Sequence, residues 1–284
     1  MQKSDFLQHT RPSDRALIFG GTGVLMAVWL FLGITTTMAS LSEESQTRPP
    51  NWKPVQFLMS SLNPAYAVAS ETAFQTAPSS IVIDDFDDLP VGGFPNVWKA
   101  WRGDDDYARN LYGIGEEAGN RYLKARDDGT SIIIRKKLDK WNPHEHPILS
   151  WRWRARALPA GGDERVGSKN DSAVAVYVLL DQNLFRVPKT LKYVWSTTLP
   201  IGTRHRRDGI GRPNVIVLQS GEEKLGEWVT ETINVYDDFI RTFGKEPPKR
   251  AIGIGVLTDG NATKTNSEGD YDDFVIHRHP DGAF

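Results

Sequence analysis

Leu149, Trp151, Trp153, Ala155 and Ala157 alternate without a break with Ser150, Arg152, Arg154 and Arg156. Successive side chains on a β-strand point to opposite faces. This run therefore has one apolar face and one cationic face, which is the pattern of a half-buried strand. Such a strand needs neighbours in a sheet and a second layer over its apolar side.

The neighbours are legible from residue 79 onward. Short apolar or alternating runs fall at residues 80–86, 131–135, 173–180, 191–196, 215–219, 228–235, 250–257 and 271–277. Turn residues separate them, among them Asp127, Asp128 and Gly129. Residues 234–243 read as one short helix, stopped by Gly244 and by Pro247 and Pro248. Parallel βαβ units need a helix between strands, and those helices are missing. The expectation is an all-β domain over residues 79–284. It is a β-sandwich or jelly roll of about nine strands with one short helix.

Residues 16–38 are 23 positions without a charge. As a helix they would extend about 35 Å, enough to cross a bilayer. Lys3, Arg11 and Arg15 precede the run, and the first cations after it are Arg48 and Lys53. That asymmetry favours a cytoplasmic tail at residues 1–15 and a translocated C-terminal part, which places the domain in a bacterial periplasm. The rival is a cleaved signal peptide, with Thr37, Met38 and Ala39 as its site. The run is longer than the usual apolar core of such peptides, roughly 7–15 residues. Ala16 and Gly20, then Gly23 and Ala27, are small pairs four apart that suit close helix packing. Trp29 stands near mid-span. Residues 39–78 hold Pro49, Pro50, Pro54, Pro64 and Pro78 and read as an extended tether. Within it Val55, Leu58, Met59 and Leu62 form a short amphipathic face.

Composition narrows the chemistry. The chain has 284 residues, 34 Lys and Arg against 36 Asp and Glu, and no Cys. Near-balanced charge argues against nucleic acid as the main partner. Without Cys there is no disulfide, thiolate nucleophile or Cys-bound metal. The domain must be held by its core, and seven of the chain's nine Trp lie within residues 79–284.

Four segments together carry a resemblance: residues 148–159 around the Trp–Arg strand, residues 191–200, residues 220–244, and residues 251–276 ending in Asp272-Asp273-Phe274-Val275-Ile276. In this order they resemble a bacterial family known only as domain of unknown function 3047. The resemblance implies an exported domain with no established activity. It also implies a layout similar to galactose-binding-like jelly rolls, a group with many carbohydrate-binding modules. The chain departs from that pattern at Gly260 and Ala262, where a more acidic loop is expected, which weakens an ion site there. The anchor and tether also stand in place of a simple signal peptide.

Candidate sites follow from residue type. Asp84, Asp85 and Asp87 end the first strand, and Asp272 and Asp273 open the last. In a jelly roll these strands lie side by side, so the acids could converge on calcium. No other cofactor is expected. Trp98, Trp101 and Trp141 lie in polar stretches and are the tryptophans expected to be exposed for a partner or glycan. Trp151, Trp153 and Trp195 are expected in the core. Arg152, Arg154 and Arg156 form a stripe, and Arg204, Arg206 and Arg207 lie in a basic loop. Arginine pairs well at interfaces. His144 with His146, and His277 with His279, are expected to be solvated rather than metal-binding. The nucleophile-elbow, zinc and P-loop motifs of enzymes are not present. The plentiful carboxylates, Glu227 and Glu231 beside Trp228 among them, are expected at the sheet surface rather than as a glycosidase pair, whose separation sequence does not set. The resulting expectation is a non-catalytic, membrane-anchored interaction domain serving a membrane protein complex. The alternative is a module that binds envelope glycans, and a glycosidase-like enzyme is the third reading.

Overall fold

The computed structural model describes residues 79–279 apart from 102, 104, 128, 183–186 and 210. The tail, the uncharged run with Ala16, Gly20, Gly23, Ala27 and Trp29, and the tether lie outside the described residues. Among the described residues no helix is long and apolar enough to cross a membrane.

Thirteen strands and two α-helices form among the described residues. In chain order they begin with β1 (Ser80–Asp84), β2 (Trp98–Ala100), α1 (Asp105–Leu111), β3 (Tyr112–Glu117) and β4 (Asn120–Asp127). β5 (Ile134–Lys137), β6 (Ile148–Ala157), β7 (Val174–Gln182), β8 (Pro188–Ser196) and β9 (Arg204–Arg206) follow. The chain then makes β10 (Asn214–Ser220), β11 (Val229–Asn234), α2 (Val235–Phe243), β12 (Gly253–Leu257) and β13 (Ser267–His277). The first sheet runs β11-β6-β13-β4-β3, with β1 also on β13. The second runs β2-β5-β12-β7-β8-β10-β9. The β8–β10 pair is parallel; the other pairs are antiparallel. The expected sandwich is therefore present, with more strands than the expected nine.

The alternation on β6 turns its tryptophans inward. Trp151 and Trp153 are fully buried. Their rings meet edge to face at 5.3 Å between centroids. From the facing sheet, Tyr193 lies 5.8 Å from Trp151 and Trp195 lies 6.4 Å from Trp153. Such spacings suit aromatic attraction as well as area burial. One aromatic seam thus joins the centres of both sheets.

β7 is apolar at nearly every position because it is covered on both faces. Val174, Val176, Val178 and Leu180 belong to the core between the sheets. Ala175 and Tyr177 face the other way, into a second cluster with Val194, Leu199, Val215, Val217 and Leu257. Loops over that outer face leave the cleft described below.

The β3–β4 hairpin was not evident from sequence. Tyr112 and Ile114 are buried, but Gly113 and Gly115 alternate with them and weaken the strand pattern. A Cβ on Gly115 would stand 2.7 Å from Cζ of the buried Tyr122 ring, which favours the bare backbone there. The turn is Ala118-Gly119, with φ of 53° and 83°. Two positive φ values fit the right-handed twist of a tight hairpin, but Asn or Asp is the usual first residue. α2, by contrast, starts and stops as read. Asn234 accepts the amide of Asp237 at 3.0 Å, and Gly244 at φ 67° ends it.

Two expected exposed tryptophans are corrected. Trp98 and Trp141 are 0% and 2% exposed. Trp98 Nε1 donates to Asp84 Oδ2 at 2.8 Å, and its ring packs with Phe86 and Phe274. Trp141 Nε1 donates to the His146 carbonyl at 2.9 Å. An indole enters a core readily once its one donor is satisfied. Polar neighbours in sequence concealed that.

Candidate functional site

The arginine stripe lies on the outer face of the first sheet and is spent within the domain. Arg154 Nε reaches Asp270 Oδ2 at 2.8 Å and Nη2 reaches Glu117 Oε2 at 2.8 Å. Arg156 Nε contacts the same Asp270 oxygen at 2.5 Å. Arg152 pairs with Asp272 and Asp273, each at 2.6 Å. The Trp228 ring lies over Arg152 and Arg154, 4.9 and 4.5 Å from their guanidinium carbons. The stripe is therefore a self-neutralised layer rather than a free cationic face. Register explains it, since β13 sets Asp270 opposite Arg154 and Asp272 opposite Arg152.

The same pairings undo the calcium arrangement. Asp272 and Asp273 serve Arg152. Asp84 accepts Lys136 Nζ at 2.8 Å as well as Trp98. Asp85 and Asp87 accept backbone amides of Asp87 and Arg121. Among the described residues no group of three or more His, Asp or Glu is placed to hold a metal. β1 and β13 do lie side by side, but Asp272 and Asp273 fall in the middle of β13 rather than at its start, and protein donors take the acids' oxygens.

The histidines also differ from the expectation of solvated loops. His146 is buried. His144 Nε2 is 2.8 Å from the Pro247 carbonyl, and His277 Nε2 is 2.7 Å from Ser150 Oγ. The basic loop divides. Arg204 pairs with Asp238 from the edge strand β9. Arg206 turns to the carbonyls of Gly209 and Arg212. Arg207 goes elsewhere, into a cleft.

That cleft has a volume of about 800 Å³ and lies on the outer face of the second sheet. Tyr177 and Leu179 of β7, with Thr190 and Lys192 of β8, form its floor. Trp101 and residues 131–133 stand on one side. Glu164, Asn170 and Asp259, with Arg207, Asp208 and Arg212, add its charged and polar walls. Of the nine residues expected to contact a partner, Trp101 and Arg207 line it. The Arg135 guanidinium stands 4.9 Å over the Trp101 ring and takes one of its two faces. Gly209 and Gly211, at φ 119° and 76°, let the rim loop turn where a side chain would be strained.

Beneath the cleft is a buried polar lattice that sequence reading did not find. Glu164 is 2% exposed and accepts Ser172 Oγ at 2.9 Å and Ser196 Oγ at 2.7 Å. Lys192 Nζ donates to Ser172 Oγ at 3.0 Å. Burial pushes the Lys192 ammonium below its usual range, and Asp259 and Glu164 oppose that. Asp259 accepts Ser131 Oγ at 2.9 Å and the Asn261 amide at 3.3 Å. A lysine between Leu191 and Tyr193, in a strand covered on both faces, was the one sequence signal of this lattice.

The loop expected to be a weakened ion site is instead pinned by acids from other elements. Asp171 accepts the amides of Ala262 and Thr263 and the Thr263 hydroxyl. Asp127 Oδ2 accepts the Gly260 amide at 2.6 Å. A Cβ on Gly260 would stand 2.1 Å from the Thr265 carbonyl oxygen. Glycine is required there by close packing.

Burial lifts the Asp259 carboxyl from 3.8 to about 6, with Lys192 pulling the other way. The folded state then holds its proton more tightly than the unfolded chain does. Stability from this group is fullest below pH 3.8 and is lost as pH rises to about 6. A rise of about 2 units corresponds to roughly 3 kcal/mol. Asp259→Asn keeps an acceptor oxygen but cannot titrate. Urea unfolding from pH 4 to pH 7 is expected to show the wild-type stability falling against the Asn variant by about that amount. Parallel curves would remove the assignment.

Fold and cleft together define the class: a two-sheet β-sandwich carrying an open cleft on one outer sheet face. The chain belongs to the family described as "Protein of unknown function (DUF3047)", whose model matches residues 96–275. No curated protein matches its sequence. Among solved structures it is similar to the family 11 carbohydrate-binding module of the cellulase Lic26A-Cel5E of Clostridium thermocellum. The identity is 10%, the coverage 72% of this chain and 97% of that one, and the TM-score 0.39. It is also similar to the xyloglucanase domain of NopAA from Sinorhizobium fredii. There the identity is 8%, the coverage 67% and 98%, and the TM-score 0.35.

Proposed function

We propose that the domain binds a saccharide in the cleft of the second sheet and performs no chemistry on it. The observation that carries this reading is the cleft's lining: aromatic rings of Trp101 and Tyr177 beside the polar Asn170 and the hydrogen-bonded groups of Ser131, Lys192 and Asp259. A sugar offers an apolar C–H face and a rim of hydroxyls, and such a lining meets both. Both oxygens of Glu164 are held by serines, and Asp259 is held by Ser131 and Asn261. Acids fixed in this way suit hydrogen-bond acceptance better than proton transfer to a substrate. The paired arginine stripe withdraws the main support for a protein-scaffold role.

Calorimetric titration of the full chain with soluble oligosaccharides tests the reading. Trp101→Ala is expected to weaken binding about tenfold or more, with little change in thermal midpoint because Trp101 is only half-buried. Unchanged affinity in that variant would place the ligand elsewhere.

We further propose that the uncharged run at residues 16–38 holds the domain on the periplasmic side of a bacterial inner membrane, beside envelope glycans. The support is the length of the run and the positive charges before it. The chain is expected to stay with membranes through alkaline carbonate extraction, and residues 79–284 to be degraded when protease enters the periplasm. Release by carbonate would refute the anchor.

A further inference from the structure

The cleft holds two guanidinium groups with no carboxylate within ion-pair distance among the described residues. Elsewhere most of the described arginines are paired, and the four that are not, Arg126, Arg135, Arg206 and Arg278, do not line the cleft. Arg121, Arg152, Arg154, Arg156, Arg165, Arg204 and Arg250 each lie within 4 Å of a carboxylate oxygen. Arg207 and Arg212 both line the cleft, and neither is paired with a carboxylate among the described residues. Burial weighs most against the Arg207 charge, the like charge of Arg212 adds to that, and Asp259 opposes it in part. Arg207 is half-buried and passes close to Gly167, where a Cβ would stand 3.2 Å from its Nη1. Asp208 lies between them in sequence and also lines the cleft, but it is exposed and paired with neither. Lys192 adds a third cation on the floor, though its own lattice of Ser172, Glu164 and Asp259 answers it.

Two unpaired guanidiniums at the mouth of a cleft are costly to keep together unless something negative visits them. A planar guanidinium binds carboxylate or sulfate oxygens through paired donors, and such charge-assisted bonds are the strong ones. We infer that the saccharide taken by this cleft carries an anionic group, a uronate carboxylate or a sulfate ester, held between Arg207 and Arg212. This rests on the proposed saccharide site and names the class of ligand for it.

The test compares acidic saccharides with their neutral counterparts on the full chain. Oligogalacturonates, oligoglucuronates and alginate oligomers are titrated as free acids and as methyl esters. Sulfated oligosaccharides are titrated beside their unsulfated parents. The expected result is at least tenfold tighter binding of one acidic set, with affinity falling as salt is raised. Preference for the free acid over the ester identifies the carboxylate, and preference for the sulfated form identifies the sulfate. Arg207→Gln and the more exposed Arg212→Gln are each expected to reduce that preference to a few-fold, with thermal midpoints close to wild type. Neutral saccharides that bind as tightly as acidic ones, with sensitivity to Trp101→Ala, would overturn this inference and leave the saccharide site standing. No binding by any member of either set would overturn both.

Discussion

Replacing Asp270 by alanine is expected to lower the unfolding free energy by about 3–5 kcal/mol, the cost of stranding a buried charge. Asp270 is 1% exposed and both arginines contact its Oδ2. Burial pushes its carboxyl upward, and Arg156 and Arg154 pull it back. The two partners do not contribute equally. The Arg156 side chain is 37% exposed, so water replaces much of what it loses. The Arg154 side chain is 6% exposed and keeps only the solvent-facing Glu117. The predicted loss is therefore mainly Arg154 left charged between a sheet and the Trp228 ring. Replacing both members, as Arg154→Met with Asp270→Leu, is expected to cost less than Asp270→Ala alone, because no buried charge is then left unpaired; Arg156 and Glu117 lose their partners but face solvent. Urea unfolding measures both. A single-variant loss below about 1 kcal/mol would show that the ion layer on this sheet is solvent-screened.

Trp153→Ala is expected to be as severe, about 3–5 kcal/mol, by a different route. Its ring stands between Trp151 and Trp195, one from each sheet. Its Nε1 donates to Glu231 Oε1 at 3.2 Å. The truncation opens a cavity in the seam that joins the layers. It also removes a donor from a carboxylate whose pKa burial already raises and which then keeps Gln219. Trp153→Phe should recover most of the loss, since the ring remains. Equal effects of Trp153→Ala and Trp101→Ala on stability would contradict the division between core and cleft tryptophans.

That division marks how far the sequence could be read. The strands at 148–157 and 174–182, the helix before Gly244 and the core place of Trp151, Trp153 and Trp195 all follow from local period and stop signals. Local patterns report which way a side chain points, and that is enough for a strand. They do not report what covers the outward face. Arg152, Arg154 and Arg156 point outward as read, yet β13 brings three aspartates over them from more than a hundred residues away. Trp98 and Trp141 lie among polar neighbours and still enter the core, because one acceptor each satisfies the indole. The β3–β4 hairpin hid behind two glycines and an Ala-Gly turn. The cleft was the least legible part. Its floor comes from β7 and β8, its walls from separate loops, and its buried acids from residues 164, 171 and 259. Only Trp101 and Arg207 among the expected contacts reached it.

The central claim is that a saccharide occupies the cleft on the second sheet. The most direct measurement is the indole N–H spectrum of the isotopically labelled full chain, titrated with the saccharides described above. The predicted result is a shift of the Trp101 signal, with Trp98, Trp141, Trp151, Trp153, Trp195 and Trp228 unmoved. A shift at Trp228, on the outer face of the first sheet, or no shift with any saccharide, would contradict it.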